Sequence, residues 1–228
     1  MLRSMPDAQI MSIAILVAIV AIPLIFAITV HEVAHGWVAL HLGDPTAKYA
    51  GRLTLNPVKH IDPLGTIIVP FVMVVASSGM WAFGWAKPVP VAFHNLRNPR
   101  RDMILVAAAG PAVNLAMALG WALLLSQRAA FDPGLDLGSD WIVRMCLFGV
   151  VINVLLAVFN MLPIPPLDGG RVLAGLLPPR LAHALSRVEP FGFFILIALM
   201  FTGVLWTLIE PVRGPLLRFF LRTVAGLA

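Results

Sequence analysis

Charge is scarce in this sequence: 12% of its 228 residues are Asp, Glu, Lys or Arg, about half the roughly 25% of an ordinary soluble domain. That excludes a water-facing globular surface and equally a disordered chain kept in solution by its charges. Cysteine is scarcer still. Cys146 stands alone, so a scaffold stapled by internal disulfides is excluded, and its apolar neighbours make it a packing residue. Glutamate occurs three times and tyrosine once. What fills the chain is apolar: 60% of residues, mean hydropathy +0.92, with several runs near the roughly 20 residues that cross a bilayer. The 16 Lys and Arg give a net charge of +5, but they are spread over the loops between apolar runs. Membrane orientation explains them better than nucleic acid, which is not expected as a partner.

The runs define an all-α polytopic membrane protein with about four to six membrane segments. Residues 10–42 form the first helix, too long for one perpendicular crossing and carrying Pro23 as a kink point. No small-residue cleavage site closes its core early, so it is expected to be retained and not removed as a signal peptide. Residues 46–57 alternate around Gly51 and predict a short β-hairpin at the membrane surface. Residues 64–86 are apolar but broken by Pro70, Ser77, Ser78, Gly79 and Gly84, which predicts a re-entrant segment, with a full span as the alternative. Residues 103–126 and 141–162 are spans, 191–209 is a further apolar run, and 213–228 suits an interfacial helix. The whole of 1–228 reads as one membrane domain with no appended soluble domain.

Within the first helix lies His31-Glu32-Val33-Ala34-His35. Positions i and i+4 share one helix face about 6 Å apart in rise, so the two imidazoles can converge on one ion while Glu32 projects beside them. This is the HExxH arrangement of zinc peptidases, in which two neutral histidines bind the metal and the carboxylate accepts a proton from water. Ionisable groups at membrane depth cost about 2.5–3.5 kcal/mol each on insertion scales, and a divalent metal is a partner that offsets this. A catalytic zinc needs a third protein ligand. Most of the acids read as loop, tail or flanking residues. Asp168 differs, because it follows Asn160-Met161-Leu162-Pro163-Ile164-Pro165-Pro166-Leu167 and precedes Gly169-Gly170. The prolines unwind the end of a span, and the glycines permit close backbone approach. An N-cap for a helix beginning near Arg171 is the other role open to it.

HEVAH and NMLPIPPLDGG together resemble the site-2 protease family of intramembrane zinc metalloproteases, whose paired signatures are HExxH and NxxPxPxxDG. GRLTLNP, GWAKPVPV, NPRRDM and GPAVN resemble members without PDZ or CBS domains. The resemblance implies one Zn2+ per chain held by His31, His35 and Asp168, Glu32 as general base toward a zinc-activated water, and a substrate-contacting Asn160. It implies hydrolysis of transmembrane protein substrates within the lipid bilayer. We further expect Gly51, Arg52, Leu53, Thr54, Leu55 and Asn56, together with residues 86–91, to offer a strand edge to unwound substrate by backbone pairing. Two other functions use the same residues: a metal transporter or channel, which would not need Glu32, and a prenyl-protein type of membrane metalloprotease, which would need a downstream glutamate, with only Glu189 and Glu210 available.

For Asp168 to reach the histidines, an odd number of full crossings must separate its helix from the first. Residues 43–101 carry seven basic and two acidic residues, and 128–140 carry one and three. The positive-inside rule then puts the site toward the cytoplasm, and the compact form without an appended domain leads us to expect a bacterial plasma membrane.

Overall fold

The computed structural model describes residues 7–76, 78, 84–131 and 139–227. Three long helices form its centre: α1 (Asp7–His41), α4 (Pro99–Phe131) and α5 (Trp141–Asn160). Their buried positions fall on a four-residue step. On α1 they are Ile19, Pro23, Ala27, His31, His35 and Ala39; on α4, Asp102, Val106, Gly110, Asn114, Ala118 and Ala122; on α5, Cys146, Val150, Val154 and Val158 beside Gly149, Asn153 and Ala157. Such rows are the i±4 ridges by which helices interdigitate, and their many Gly and Ala residues let backbones approach, as membrane helices require. Gly149 shows the need: a Cβ there would lie 2.5 Å from the Trp121 ring. Cys146 is buried in the same layer, as expected of a packing residue.

Between α1 and α4 lie the short α2 (Thr46–Tyr49), a 3-10 turn (Pro57–His60), and a wide turn (Pro63–Ile68) that runs into α3 (Val69–Ala76). After α5 come α6 (Asp168–Leu176), α7 (Pro179–Ser186), α8 (Gly192–Phe201) and α9 (Val204–Arg218). Leu196, Met200, Leu205 and Ile209 of α8 and α9 close the core over α4 and α5. Gly203, at φ +76°, turns the chain between α8 and α9 and so divides the apolar run 191–209. Four stretches are long and apolar enough to cross a membrane: Ala14–His41, Pro99–Phe131, Trp141–Asn160 and Pro179–Phe201. Large apolar side chains such as Leu16, Ile22, Phe26, Leu124 and Phe194 point outward from them, a surface suited to lipid and not to water.

Two expectations are corrected. The described residues contain no β-strand, so the hairpin over 46–57 is absent. Its first residues form α2, Gly51 turns the chain at φ +65°, and the backbone groups that would build a ladder are used otherwise: Arg52 N–H donates to Ala47 O at 3.0 Å, and Thr54 O accepts from the His60 ring at 2.9 Å. The re-entrant segment is likewise unsupported. Residues 63–76 make one short apolar helix of about 21 Å at 1.5 Å per residue, below the roughly 30 Å of a bilayer core; Ser77 and Gly79 lie outside the described residues. Among those described, α4 is then the single long apolar helix between α1 and α5, in keeping with the odd number of crossings.

The loop after α1 is latched by Asp44, fully buried. It accepts from Ala92 N–H at 2.7 Å, Asn95 Nδ2 at 3.0 Å, Thr46 N–H at 3.1 Å and the Thr46 hydroxyl. Burial alone would raise its pKa, but the bonds from Asn95, Thr46 and Ala92 outweigh it and hold the carboxyl below the ordinary carboxylate range. A depressed folded-state pKa stabilises the fold above the unfolded value of about 3.9 and is lost as pH falls through the folded value. Asp44→Asn is expected to cost about 1–3 kcal/mol near neutral pH, and the difference in melting temperature from wild type should shrink below about pH 4.

Candidate metal centre

The four-residue step that buries α1 against α4 also puts both HExxH histidines on the buried ridge. Their rings meet edge to face with centroids 4.7 Å apart, and the two Nε2 atoms are 3.0 Å from each other. Room for them comes from Gly110 of α4: a Cβ there would lie 2.5 Å from His31 Cε1 and from His35 Nε2. Asp168 comes from a separate element. The chain leaves α5 at Asn160 and doubles back through the proline-rich turn, and Asp168 opens α6. Both glycines that follow are required, since a Cβ on Gly169 would meet Met161 O at 2.2 Å and one on Gly170 would meet Pro165 N at 2.6 Å. Asp168 therefore stands in the first turn of α6, after Leu167 at the cap position, and is not itself the N-cap. Its Oδ2 lies 3.2 Å from His31 Nε2 and 3.3 Å from His35 Nε2.

These three atoms are all electron-pair donors. His35 Nδ1 lies 2.7 Å from the Val106 carbonyl and His31 Nδ1 lies 2.5 Å from Asn114 Oδ1. Both partners are acceptors, so each Nδ1 carries the ring proton and each neutral Nε2 presents a bare lone pair. Asp168 Oδ2 is buried and finds no hydrogen-bond donor. A tetrahedral ion with bonds of about 2.0–2.1 Å separates its ligands by about 3.3 Å, close to the 3.0–3.3 Å seen among these three. The residues fit a cation of the zinc type, with imidazole and carboxylate donors of the kind it takes.

Glu32, half-buried on the same turn of α1, accepts through Oε2 from Val89 N–H at 2.7 Å. Val89 belongs to the extended stretch 84–92, which is tied to its neighbours on both sides: Arg52 Nη2 donates to Lys87 O at 2.6 Å, Lys87 N–H to His60 O at 2.9 Å, and Trp85 N–H to Gly65 O at 3.0 Å. The segment 51–56 is thus packed against 84–92, with Arg52 buried between them and Asn56 capping the next turn through Val58 N–H. Leu55 and Pro57 instead line an open groove of about 310 Å³ along α1 with Ala21, Ile22, Ile25, Phe26 and Thr29. Asn160 bonds back to Leu156 O at 2.9 Å on its own helix and is not among the three grouped donors.

Comparison with known proteins decides the family. The model of "Peptidase family M50" matches residues 136–203, which hold Asp168. A Bacillus subtilis (strain 168) protein named "Putative zinc metalloprotease YwhC" is 41% identical over 212 residues, covering 87% of this chain and 89% of its own. The chain belongs to peptidase family M50. A protein of Mycolicibacterium smegmatis (strain ATCC 700084 / mc(2)155) named "Putative zinc metalloprotease Rip2" is 32% identical over 181 residues, 79% of this chain and 66% of its own. "Putative zinc metalloprotease MJ0611" of Methanocaldococcus jannaschii is 47% identical over 68 residues, 30% of this chain and 31% of its own. No solved structure matches the chain. The resemblance to site-2 proteases therefore holds at the family level, and the long apolar helices make this M50 member an integral membrane protein.

The M50 site also contains partners that reading the sequence for ligands misses: Gly110, Val89, the Val106 carbonyl and Asn114. Gly110 carries a direct test. Gly110→Ala would push a methyl group into both imidazoles, and zinc affinity measured by chelator competition is expected to fall at least about tenfold with the helical content retained.

Proposed function

We propose that this chain is an intramembrane zinc metalloprotease that hydrolyses peptide bonds of transmembrane protein substrates. The observation that carries the reading is the set of three mutually close lone-pair donors, His31 Nε2, His35 Nε2 and Asp168 Oδ2, with a carboxylate on the adjacent position of the same helix. His31, His35 and Asp168 would hold one Zn2+, which when bound supplies Lewis-acid activation of water and of the scissile carbonyl. Glu32 has the role of general base. Its Oε2 is held by the Val89 amide, which fixes the carboxylate, and its Oε1 would take a proton from water and pass it to the leaving amine nitrogen.

A helical substrate hides its carbonyls in its own hydrogen bonds, so cleavage needs a segment that unwinds. The groove along α1, with Leu55 and Pro57 on its other wall, ends at Thr29 about half a turn before His31 and offers an apolar approach from the lipid. Residues 51–56 and 86–91 would contact unwound substrate through their side chains rather than by backbone pairing, and Asn160 would contact substrate from the end of α5. The excess of Lys and Arg in 43–101 supports a cytoplasm-facing site, and the 41% identity to a Bacillus subtilis protein supports a bacterial plasma membrane as its setting.

Glu32 separates hydrolysis from ion transport, which has no use for it. Glu32→Ala is expected to bind zinc as wild type does while cleavage of a reconstituted transmembrane substrate falls by about 10²–10⁴-fold, read from product bands over time. Retained turnover in that variant would overturn the mechanism.

A further inference from the structure

Resting on the metal-site reading above, we propose that Asn114 and Asn153 are positioning residues that fix the tautomer and rotation of the His31 ring through a directed chain of amide hydrogen bonds. The direction follows from its far end. Gly149 O is a main-chain acceptor, so the Asn153 atom 2.9 Å from it is the amide nitrogen. That turns Asn153 Oδ1 toward α4, where it takes a hydrogen bond from Asn114 Nδ2 at 2.8 Å. Asn114 is left with Oδ1 facing His31 Nδ1 at 2.5 Å, and an oxygen there requires the proton on Nδ1. The lone pair of Nε2 is thereby aimed at Asp168 and His35. If either amide were reversed, a donor would face Nδ1, the proton would move to Nε2, and the ligand position would be blocked.

Both asparagines are fully buried, so water does not compete for these bonds. Asn114 also grips α1 at a second point, with Nδ2 3.4 Å from Ala27 O, one turn before His31, so that one side chain spans a turn of the metal-bearing helix. The two histidines are held by different means. His35 uses the Val106 carbonyl, which any residue at 106 provides, whereas the lock on His31 is written in side chains and can be removed by substitution. Ordinary helix-joining amides would need only each other. Here the remaining oxygen of Asn114 meets the imidazole.

The test uses the full chain in detergent, stripped of metal, with zinc affinity measured by chelator competition and ring tautomers read by ¹⁵N NMR of labelled histidine in the metal-free protein. Asn114→Leu is expected to weaken zinc binding by about 10–100-fold and to abolish the His31 Nδ1–H signature at unchanged helical content. Asn114→Asp keeps an oxygen toward His31 and should retain that signature and most of the affinity. Asn153→Leu, one link further out, should give an intermediate loss. Unchanged zinc affinity and tautomer in folded Asn114→Leu would overturn the proposal; if that variant does not fold, the same result in Asn153→Leu would do so. A wild-type chain that bound no zinc would remove the metal-site reading instead, and the His31 ring spectrum would still decide this one.

Discussion

Three ligand atoms within 3.0–3.3 Å of one another, buried in a contact between helices, present lone pairs to the same point when both imidazoles are neutral, and lone pairs so placed repel each other. Each imidazole spends its proton on the far side, on Asn114 or on the Val106 carbonyl. The Asp168 oxygen between them has no donor, and a buried unsatisfied polar atom costs about 1–3 kcal/mol, more if charged. A bound cation resolves all three at once. The rest of the centre keeps those atoms together: glycine at 110 to admit the rings, glycines at 169 and 170 to fold the turn back, and prolines to end α5 where Asp168 can reach α1.

The same constraint orders the fold. A helix crossing lipid has no hydrophobic drive to find its neighbours, so it associates by close packing of small residues and by buried polar bonds. The four-residue ridges of α1, α4 and α5 do both. Ala27, Gly110, Ala118 and Gly149 bring the backbones together, and His31, His35, Asn114 and Asn153 sit on the same ridges as the bonds across them. One face of α1 thus serves packing and chemistry, while its opposite face carries Leu16, Ile22 and Phe26 outward.

Much of the centre was legible in the sequence because helix geometry is periodic. The H-x-x-x-H spacing equals the ridge spacing, and the density of proline and glycine around Asp168 could only mean an unwound span end. The asparagines carry a weaker signal of the same kind: Asn114 and Asn153 each follow a buried glycine by four residues, in GPAVN and GVVIN. Single polar residues inside spans read as helix glue, and their directed bonding to His31 shows only when three helices are assembled. The segment 46–57 misled for a different reason. Alternation of residue types suggests a strand, but here Arg52 bonds to the Lys87 carbonyl and Thr54 O to the His60 ring rather than to a neighbouring strand. The role of Val89 was equally hidden, because a backbone amide leaves no mark on residue type.

The central claim is that residues more than a hundred positions apart build one zinc site. Its most direct test is the zinc content per chain of detergent-purified wild type, His35→Ala and Asp168→Ala, each confirmed to be folded. One tightly held zinc in wild type, lost or greatly weakened in both variants, is the predicted result. Zinc held undiminished by Asp168→Ala would contradict it.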